Sequence, residues 1–170
     1  ITGAAGGIGQ WLCRFFGEEG ATIAALDRSD KVHALAETLG KDGITVKPAV
    51  ADIADAGAVA AAFKGFGEVD ILINNAGGTR HATFEKTDPA GWDEDMAANV
   101  GGAYACAHAV LPQMVERRSG NIVNVGSVNG LAALGDPAYS ASKAGMISLT
   151  RSLAQEYGRY GIRANIVLPG

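Results

Sequence analysis

The stretch that decides the fold is Thr2-Gly3-Ala4-Ala5-Gly6-Gly7-Ile8-Gly9, which stands directly before a segment of helical spacing. Gly3 permits a tight turn, Gly7 lets the backbone approach a ligand closely, and Gly9 allows the helix to pack against a neighbouring strand. The start of a helix offers unpaired N–H groups and a positive dipole to an anion. The stretch therefore predicts a phosphate-binding turn, with a plain glycine-rich turn as the alternative.

Beyond this stretch, short apolar runs alternate with longer segments in which apolar residues recur at helical spacing. The runs, which are rich in Val and Ile, cover residues 22–26, 44–50, 69–73, 121–125 and 162–168. The longer segments carry apolar stripes at Ile8, Leu12 and Phe15 or Phe16, at Val32, Leu35 and Leu39 with Gly40 as the expected stop, at Val59 and Phe63, at 96–114 and at 139–157. This alternation predicts an α/β fold, a doubly wound parallel sheet in three αβα layers that forms a single domain. Ligands of such sheets bind beyond the carboxyl ends of the strands, so residues just after each run are site candidates.

The composition excludes several function classes. Lys and Arg total 14 against 18 Asp and Glu, and the net charge of −4 argues against a protein that binds nucleic acid. Gly occurs 24 times in 170 residues, about twice its average share. Because no repeat or low-complexity tract occurs, this surplus indicates close approach between backbone segments rather than disorder.

Two further features bear on the compartment. Cys13 and Cys106 show neither metal-ligand spacing nor a disulfide framework, so we predict no metal site and a cytoplasmic location. The uncharged stretch 96–115 is long enough to span a membrane, yet it contains Asn99 and Pro112 and is mostly Ala and Gly. We interpret it as a buried helix and expect no membrane association.

An acidic residue stands at the end of the first apolar run. Asp27 comes directly after the run 22–26, eighteen residues after Gly9. A carboxylate at that strand end accepts the ribose hydroxyls of an adenosine and repels a 2′-phosphate, which favours NAD over NADP. Arg28 can attract a phosphate, so NADP stays open, and a solvated loop carboxylate is the alternative for Asp27.

Two more strand ends carry candidate residues. After the run 44–50, Asp52 can bond the adenine amino group while Ile53 lies against the ring; the alternative is a helix N-cap by Asp52 or Asp55. After the run 69–73 comes Asn74-Asn75-Ala76-Gly77-Gly78, whose small residues leave room for a ligand. A simple turn is the alternative there.

The chemistry is expected from a serine, a tyrosine and a lysine. Ser127 follows the run 121–125, and Tyr139 and Lys143 stand four residues apart on one helix face. A tyrosine hydroxyl is a poor base at neutral pH, but a nearby ammonium favours its ionised form. We therefore predict Tyr139 as the acid/base of a hydride transfer, Lys143 as its electrostatic partner and Ser127 as the holder of the substrate oxygen. Asn99 is either a satisfied buried amide or a water-holding link behind Lys143.

These residues resemble the short-chain dehydrogenase/reductase family of the single-domain kind. The matching residues, in the family's order, are Thr2-Gly3-x-x-x-Gly7-x-Gly9, Asp52, Asn74-Asn75-Ala76-Gly77, Asn99, Ser127, Tyr139-x-x-x-Lys143 and Pro169-Gly170. The resemblance implies a Rossmann-type fold, an Asn99–Ser127–Tyr139–Lys143 catalytic set and a nicotinamide dinucleotide. The expected cofactor-binding residues are Gly3, Gly7, Ile8, Gly9, Asp27, Asp52, Ile53, Asn75, Ala76, Gly77, Tyr139, Lys143, Pro169 and Gly170.

The resemblance also sets the expected function and assembly. It implies an oxidoreductase acting on a secondary alcohol or ketone, and a homodimer or homotetramer formed through the helices that contain Asn99 and Tyr139. A 3-oxoacyl thioester reductase that uses NADPH and a catalytically silent dinucleotide-binding regulator are the alternatives. The substrate is expected to meet residues 78–85 and 128–137, in which His81, Asn129 and Asp136 are polar candidates.

Compared with the family, the chain lacks most of a first strand before Thr2 and the substrate region after Gly170. Because the first strand is central in the family's sheet, its loss leaves two neighbouring strands unpaired. We therefore expect this segment alone to fold poorly.

Overall fold

The computed structural model describes residues 1–79 and 83–170, so the expected polar candidate His81 lies outside the described residues. The main helices are α1 Gly7–Glu18, α2 Lys31–Lys41, α3 Ala56–Phe66, α4 Pro89–Met96, α5 Gly102–Arg117 and α6 Pro137–Tyr157. The strands are β1 Ile23–Asp27, β2 Val46–Val50, β3 Ile71–Asn74, β4 Gly120–Val125 and β5 Ile162–Val167. Each strand overlaps one predicted apolar run, which confirms the α/β fold class.

The helices agree with the predicted spacing except at two points. The long segment around Asn99 is not one regular helix, because the π-helical segment Ala97–Gly101 joins α4 to α5. Gly40 was wrong as the stop of α2: it lies inside the helix, and Gly43, at φ +83°, is the residue in the left-handed region. In the described part of the chain, no helix combines the length and apolar character that crossing a bilayer requires.

The strands pair in parallel throughout. β1 pairs with β2, and β3, β4 and β5 form a second ladder in that order. Thr2 joins the two ladders: it bridges Leu26 of β1, and its N–H donates to Ile73 O of β3 at 3.0 Å. The order across the molecule is therefore β2, β1, the segment at Thr2, β3, β4 and β5. The strand order reverses at Thr2, which is where such sheets bind ligands.

Small residues and Phe16, one alternative of the predicted stripe, form the inner face of α1, where Phe16 packs against the core cluster that contains Cys13. Gly9 and Cys13 are buried, whereas Ile8 is 58% exposed and Phe15 is 43% exposed. A Cβ at Gly9 would lie 2.8 Å from Ala4 Cα, closer than real contacts allow. The helix begins so close to the turn that a large side chain does not fit at Gly9, and Ile8 and Phe15 face outward.

Candidate active site

A cavity of about 1010 Å³ opens at the carboxyl ends of β1, β2 and β3. This volume is at the upper end of the usual range for ligand pockets, which suits a large ligand. Its lining includes ten of the expected cofactor-binding residues: Gly3, Gly7, Ile8, Gly9, Asp27, Asp52, Ile53, Asn75, Ala76 and Gly77. The expected residues Tyr139, Lys143, Pro169 and Gly170 lie outside this lining.

The glycine stretch forms one wall of the cavity in a backbone arrangement that needs glycine. Gly3 has φ +65°, and a Cβ there would lie 2.9 Å from Ala76 Cα. Gly7, in contrast, has open space where a Cβ would stand. The N-cap of α1 is Gly6, which offers no side-chain cap to the first N–H groups of the helix. The wall therefore combines close packing at Gly3 with free donors beside Gly7, a cradle that fits a phosphate.

Asp27 fixes the rim of the cavity beside this wall. One oxygen of its carboxylate accepts from Ala5 N at 2.9 Å and the other from Ser29 N at 2.8 Å. A carboxylate has about four acceptor positions, so it can still receive ribose hydroxyls. Arg28 and Lys31 line the same part of the cavity. The rim thus presents one anchored anion and two cations to whatever binds there.

The two candidate caps of α3 behave differently. Asp55 is the N-cap, since its carboxylate accepts from Gly57 N and Ala58 N. Asp52 accepts from Ala54 N at 2.9 Å within its own turn and lines the cavity. Ile53 contributes to the lining but is 8% exposed. The N-cap interpretation is therefore confirmed for Asp55, and Asp52 stays free to face a ligand.

The loop after β3 is tied to the glycine stretch by Thr2, a residue that sequence reasoning did not place in the site. The Thr2 hydroxyl accepts from Asn75 N at 3.1 Å and from Ala76 N at 3.0 Å. Asn75 Nδ2 in turn donates to Thr2 O at 3.0 Å. The hydroxyl beside the first glycine was the available signal, but its partners lie over seventy residues away along the chain.

Asn99 fastens the loop after β3 from the opposite side. It is fully buried within the π-helical segment Ala97–Gly101. Its Nδ2 donates to Gly78 O and to Asp95 O, both at 2.7 Å, while its Oδ1 accepts from Gly78 N at 3.1 Å. Such π segments frequently mark functional sites, because they turn a side chain away from regular helical positions.

Lys143 meets Asn99 at a single glycine, Gly77, and lies beside Tyr139. A Cβ at Gly77 would lie 2.6 Å from Asn99 Oδ1 and 3.3 Å from Lys143 Nζ. Lys143 Nζ donates to Val125 O at 2.9 Å and lies 5.4 Å from the centre of the Tyr139 ring. Burial lowers the pKa of Lys143 from its ordinary value near 10.5 to about 8. The fold thus brings Asn99, Lys143 and Tyr139 together in a chain of contacts that begins at Gly77, a residue of the cavity lining.

Ser127, the fourth predicted catalytic residue, follows β4 directly. It is half-buried, and its hydroxyl oxygen accepts from Asn129 N at 3.2 Å. The flanking Val128 N donates to Pro169 O at 3.0 Å. Pro169 therefore lies against the Ser127 turn rather than on the cavity lining.

Asp136, one of the polar substrate candidates, has a structural position. Its carboxylate caps α6 by accepting from Tyr139 N at 3.0 Å, and its φ of +41° is in the left-handed region. The Thr79 hydroxyl lies within hydrogen-bond distance of the carboxylates of Asp136 and Asp95, both of which are buried. Asp136 thereby links the loop after β3 to the start of α6.

Comparison with known proteins agrees with this geometry. The chain matches the family model described as short chain dehydrogenase over residues 1–170. An uncharacterised oxidoreductase of Schizosaccharomyces pombe is 43% identical over 173 residues, a match that covers all of this chain and 65% of that protein. The chain thus spans about two thirds of that relative's length.

Solved structures give the same result. An oxidoreductase of the short chain dehydrogenase/reductase family from Burkholderia thailandensis is 51% identical, with a TM-score of 0.94 over 100% of this chain and 67% of that one. A Burkholderia cenocepacia gluconate 5-dehydrogenase in complex with NADP and tartrate is 37% identical (TM-score 0.94; 100% of this chain, 69% of that one). A Brucella melitensis 3-oxoacyl-[acyl-carrier protein] reductase with bound NAD is 34% identical (TM-score 0.95; 100% and 69%). This chain belongs to the short-chain dehydrogenase/reductase family.

Proposed function

We propose that residues 1–170 form the nicotinamide-binding and catalytic unit of an oxidoreductase that interconverts a secondary alcohol and a ketone. The observation that carries this proposal is that Asn99 and Lys143 meet at Gly77, which lines a cavity large enough for a dinucleotide, while Lys143 Nζ also lies 5.4 Å from the centre of the Tyr139 ring. Membership of a family of dehydrogenases and reductases supports it.

In this proposal the cofactor binds along the cavity wall. The pyrophosphate is held by the N–H groups at the start of α1, and Asp27 receives the adenosine ribose hydroxyls. Asp52 and Ile53 hold the adenine, while Asn75 to Gly77 leave room for the remainder. When bound, the nicotinamide supplies or accepts the hydride. Anchored by two backbone donors, Asp27 favours NAD.

In the same proposal, the catalytic residues hold the substrate oxygen and transfer its proton. The Ser127 hydroxyl holds the substrate oxygen, and the Tyr139 hydroxyl gives its proton to the developing alkoxide, or removes it in the reverse direction. Because its pKa is about 8, Lys143 is mostly an ammonium at pH 7 and stabilises the tyrosine oxyanion that remains. Asn99 holds the backbone at Gly78 in place beside Lys143.

A second candidate is a 3-oxoacyl thioester reductase that uses NADPH. Arg28 and Lys31 line the cavity next to Asp27, where a 2′-phosphate would need cations. The Brucella melitensis neighbour is named a 3-oxoacyl-[acyl-carrier protein] reductase, and its structure contains bound NAD. Two measurements on the full-length protein separate the candidates. Titration with NADH and with NADPH compares the two dinucleotide affinities. Assays with a 3-oxoacyl thioester and with simple ketones then compare the turnover of the two substrate classes.

The test of the leading candidate is Tyr139→Phe in the full-length protein. We expect kcat to fall by about 10²–10⁴-fold, the usual contribution of a positioned acid/base, while the dinucleotide Kd changes little. Nicotinamide absorbance with a panel of alcohols and ketones measures turnover, and quenching of protein fluorescence measures binding.

Tyr104→Phe is the matched control, because it removes a tyrosine hydroxyl from an exposed residue of α5 that does not line the cavity. Turnover by Tyr139→Phe at the rate of the Tyr104→Phe control would remove Tyr139 from the mechanism. Binding of the dinucleotide without turnover of any alcohol or ketone by the unmodified protein would favour the silent regulator instead.

We also propose a homodimer or homotetramer, formed through the helices that contain Asn99 and Tyr139, in the cytoplasm. Tyr104 of α5 is 57% exposed and stacks loosely on His108, which supports an unfilled contact surface on that helix. Cys13 and Cys106 are buried and unpaired, which suits a reducing compartment.

A further inference from the structure

A row of buried polar side chains crosses the core behind Lys143. Asn74 of β3, Asn124 of β4 and Thr150 of α6 are each at most 5% exposed. Asn74 Nδ2 donates to Asn124 Oδ1 at 2.8 Å, and Asn124 Nδ2 donates to the Thr150 hydroxyl at 2.8 Å. The Thr150 hydroxyl then donates to Met146 O at 2.7 Å. Three successive hydrogen bonds thus connect β3 to β4 and β4 to α6, each donated toward the helix.

This row is a costly way to fill a core. Buried amides and hydroxyls gain little over apolar side chains of the same shape, because their hydrogen bonds replace equally good ones to water. The row even leaves Asn74 Oδ1 buried without a hydrogen-bond partner among the described residues. What such a row offers instead is a fixed register: apolar surfaces slide over one another, whereas a directional hydrogen bond is satisfied in one position only.

The register in question is that of α6 against β4. Thr150 bonds Asn124, and seven residues earlier Lys143 Nζ bonds Val125 O, the carbonyl next along the strand. Seven residues make two turns, so both side chains leave the same face of α6. Met146 lies between them: its carbonyl accepts from Thr150, and its sulfur lies 3.6 Å from Lys143 Nζ. A shift of α6 that breaks one contact therefore moves the other.

We propose that Asn124 and Thr150 are positioning residues, which fix the register of α6 on β4 and thereby hold Lys143 Nζ beside the Tyr139 ring. They touch neither substrate nor cofactor and act through the lysine. The proposal rests on the proposed function, in which Lys143 assists Tyr139.

The test compares Thr150→Val, which keeps the shape but removes the hydroxyl, with Thr150→Ser, which keeps the hydroxyl. In the full-length protein, well below its unfolding temperature, we expect Thr150→Val to lower kcat about 10-fold or more, since a misplaced group can cost up to about 100-fold. KM for the dinucleotide should change little. The pH at which kcat is half-maximal should move, and Thr150→Ser should restore both values.

Thr38→Val is the matched control, because the exposed Thr38 makes the same kind of bond to the carbonyl four residues earlier, Ala34 O at 2.9 Å. It should behave as wild type. A Thr150→Val variant that lowers thermal stability but keeps the kcat and pH profile of wild type would overturn the proposal, because the row would then be structural only.

A readout that needs no turnover separates this proposal from the proposed function. NMR titration of ¹³Cε-labelled lysine in the cofactor-free, full-length protein reports the pKa of Lys143 directly. We expect Thr150→Val to move that pKa by about half a unit or more, because the ammonium environment changes with the register of α6. An unchanged pKa overturns the positioning role even if the protein proves to catalyse another reaction. A shifted pKa in a protein without activity supports the positioning role and removes only the proposed function.

Discussion

At the scale of single residues, the site depends on side chains that bond backbone groups of a distant segment. Asp27 accepts from Ala5 N of the glycine stretch, and Asn99 holds both backbone groups of Gly78. Each side chain lies at the end of one element and fastens the loop of another. Losing such a side chain therefore disturbs the shape of the cavity as well as removing a group from its wall.

Asp27→Asn tests this double role together with the proposed preference for NAD. An amide nitrogen cannot accept from a backbone N–H, so one anchor is lost along with the charge. We expect the Kd for NADH to rise about 10-fold or more, since a hydrogen bond to a charged group contributes about 1.5–3 kcal/mol. The ratio of the NADPH Kd to the NADH Kd should fall.

Fluorescence titration of the full-length protein with each dinucleotide measures both values. Asp30→Asn is the control, because Asp30 is exposed, makes no side-chain cap and loses the same charge three residues away. Equal effects of the two substitutions would mean that only the overall charge near the cavity matters.

At the scale of the element, α6 buries a lysine side chain, and this burial costs stability. Lys143 is 3% exposed on the inner face of the helix, where burial favours its neutral form. In the unfolded chain the lysine titrates near 10.5, whereas in the fold it titrates at about 8. Between these values the unfolded state binds more protons than the folded state, so stability rises with pH across this window.

Lys143→Met isolates this effect. The free energy of unfolding of the cofactor-free wild type, minus that of the variant, should increase by about 1–3 kcal/mol from pH 8 to pH 10.5. Taking the difference removes the opposite contribution of Cys106, whose pKa is raised to about 12 by burial. Urea unfolding curves at several pH values provide the measurement, and a difference that stays flat over the window would contradict the buried, proton-losing lysine.

At the scale of the whole molecule, the two strand ladders meet at Thr2. Its backbone pairs with β1 on one side and β3 on the other, and its hydroxyl holds the loop after β3. Thr2 stands next to Gly3 and makes hydrogen bonds to Asn75, and both of these residues line the cavity.

Thr2→Val tests how far the join controls the site. Valine keeps the shape, but Ala76 N loses its acceptor, so we expect the free energy of unfolding to fall by about 1–3 kcal/mol. Dinucleotide binding should weaken as well, because Ala76 and Gly77 line the cavity. Urea unfolding and fluorescence titration check the two effects, with Thr38→Val again as the exposed control. Full stability and unchanged binding would show that the backbone pairing alone holds the ladders together.

The sequence by itself determined the order of strands and helices, the glycine turn, Asp27 at its strand end and the pair Tyr139 and Lys143 on one helix face. These features are local: a period of two or 3.6 residues, or a residue type required by one turn, is visible within a few positions. The buried face of α1 was predicted wrongly from Ile8, since the tight packing at Gly9 depends on where another segment lies.

Only the tertiary structure decided which of these residues meet. Three sets of contacts join residues that lie tens of positions apart. They are the hydrogen bonds between Thr2 and Asn75, the approach of Asn99 and Lys143 to Gly77, and the row from Asn74 through Asn124 to Thr150. Such contacts follow from how strands are ordered and helices are set in register, which no local pattern encodes. The sequence therefore supplied the chemical groups, and the packing of the sheet and helices set the distances between them.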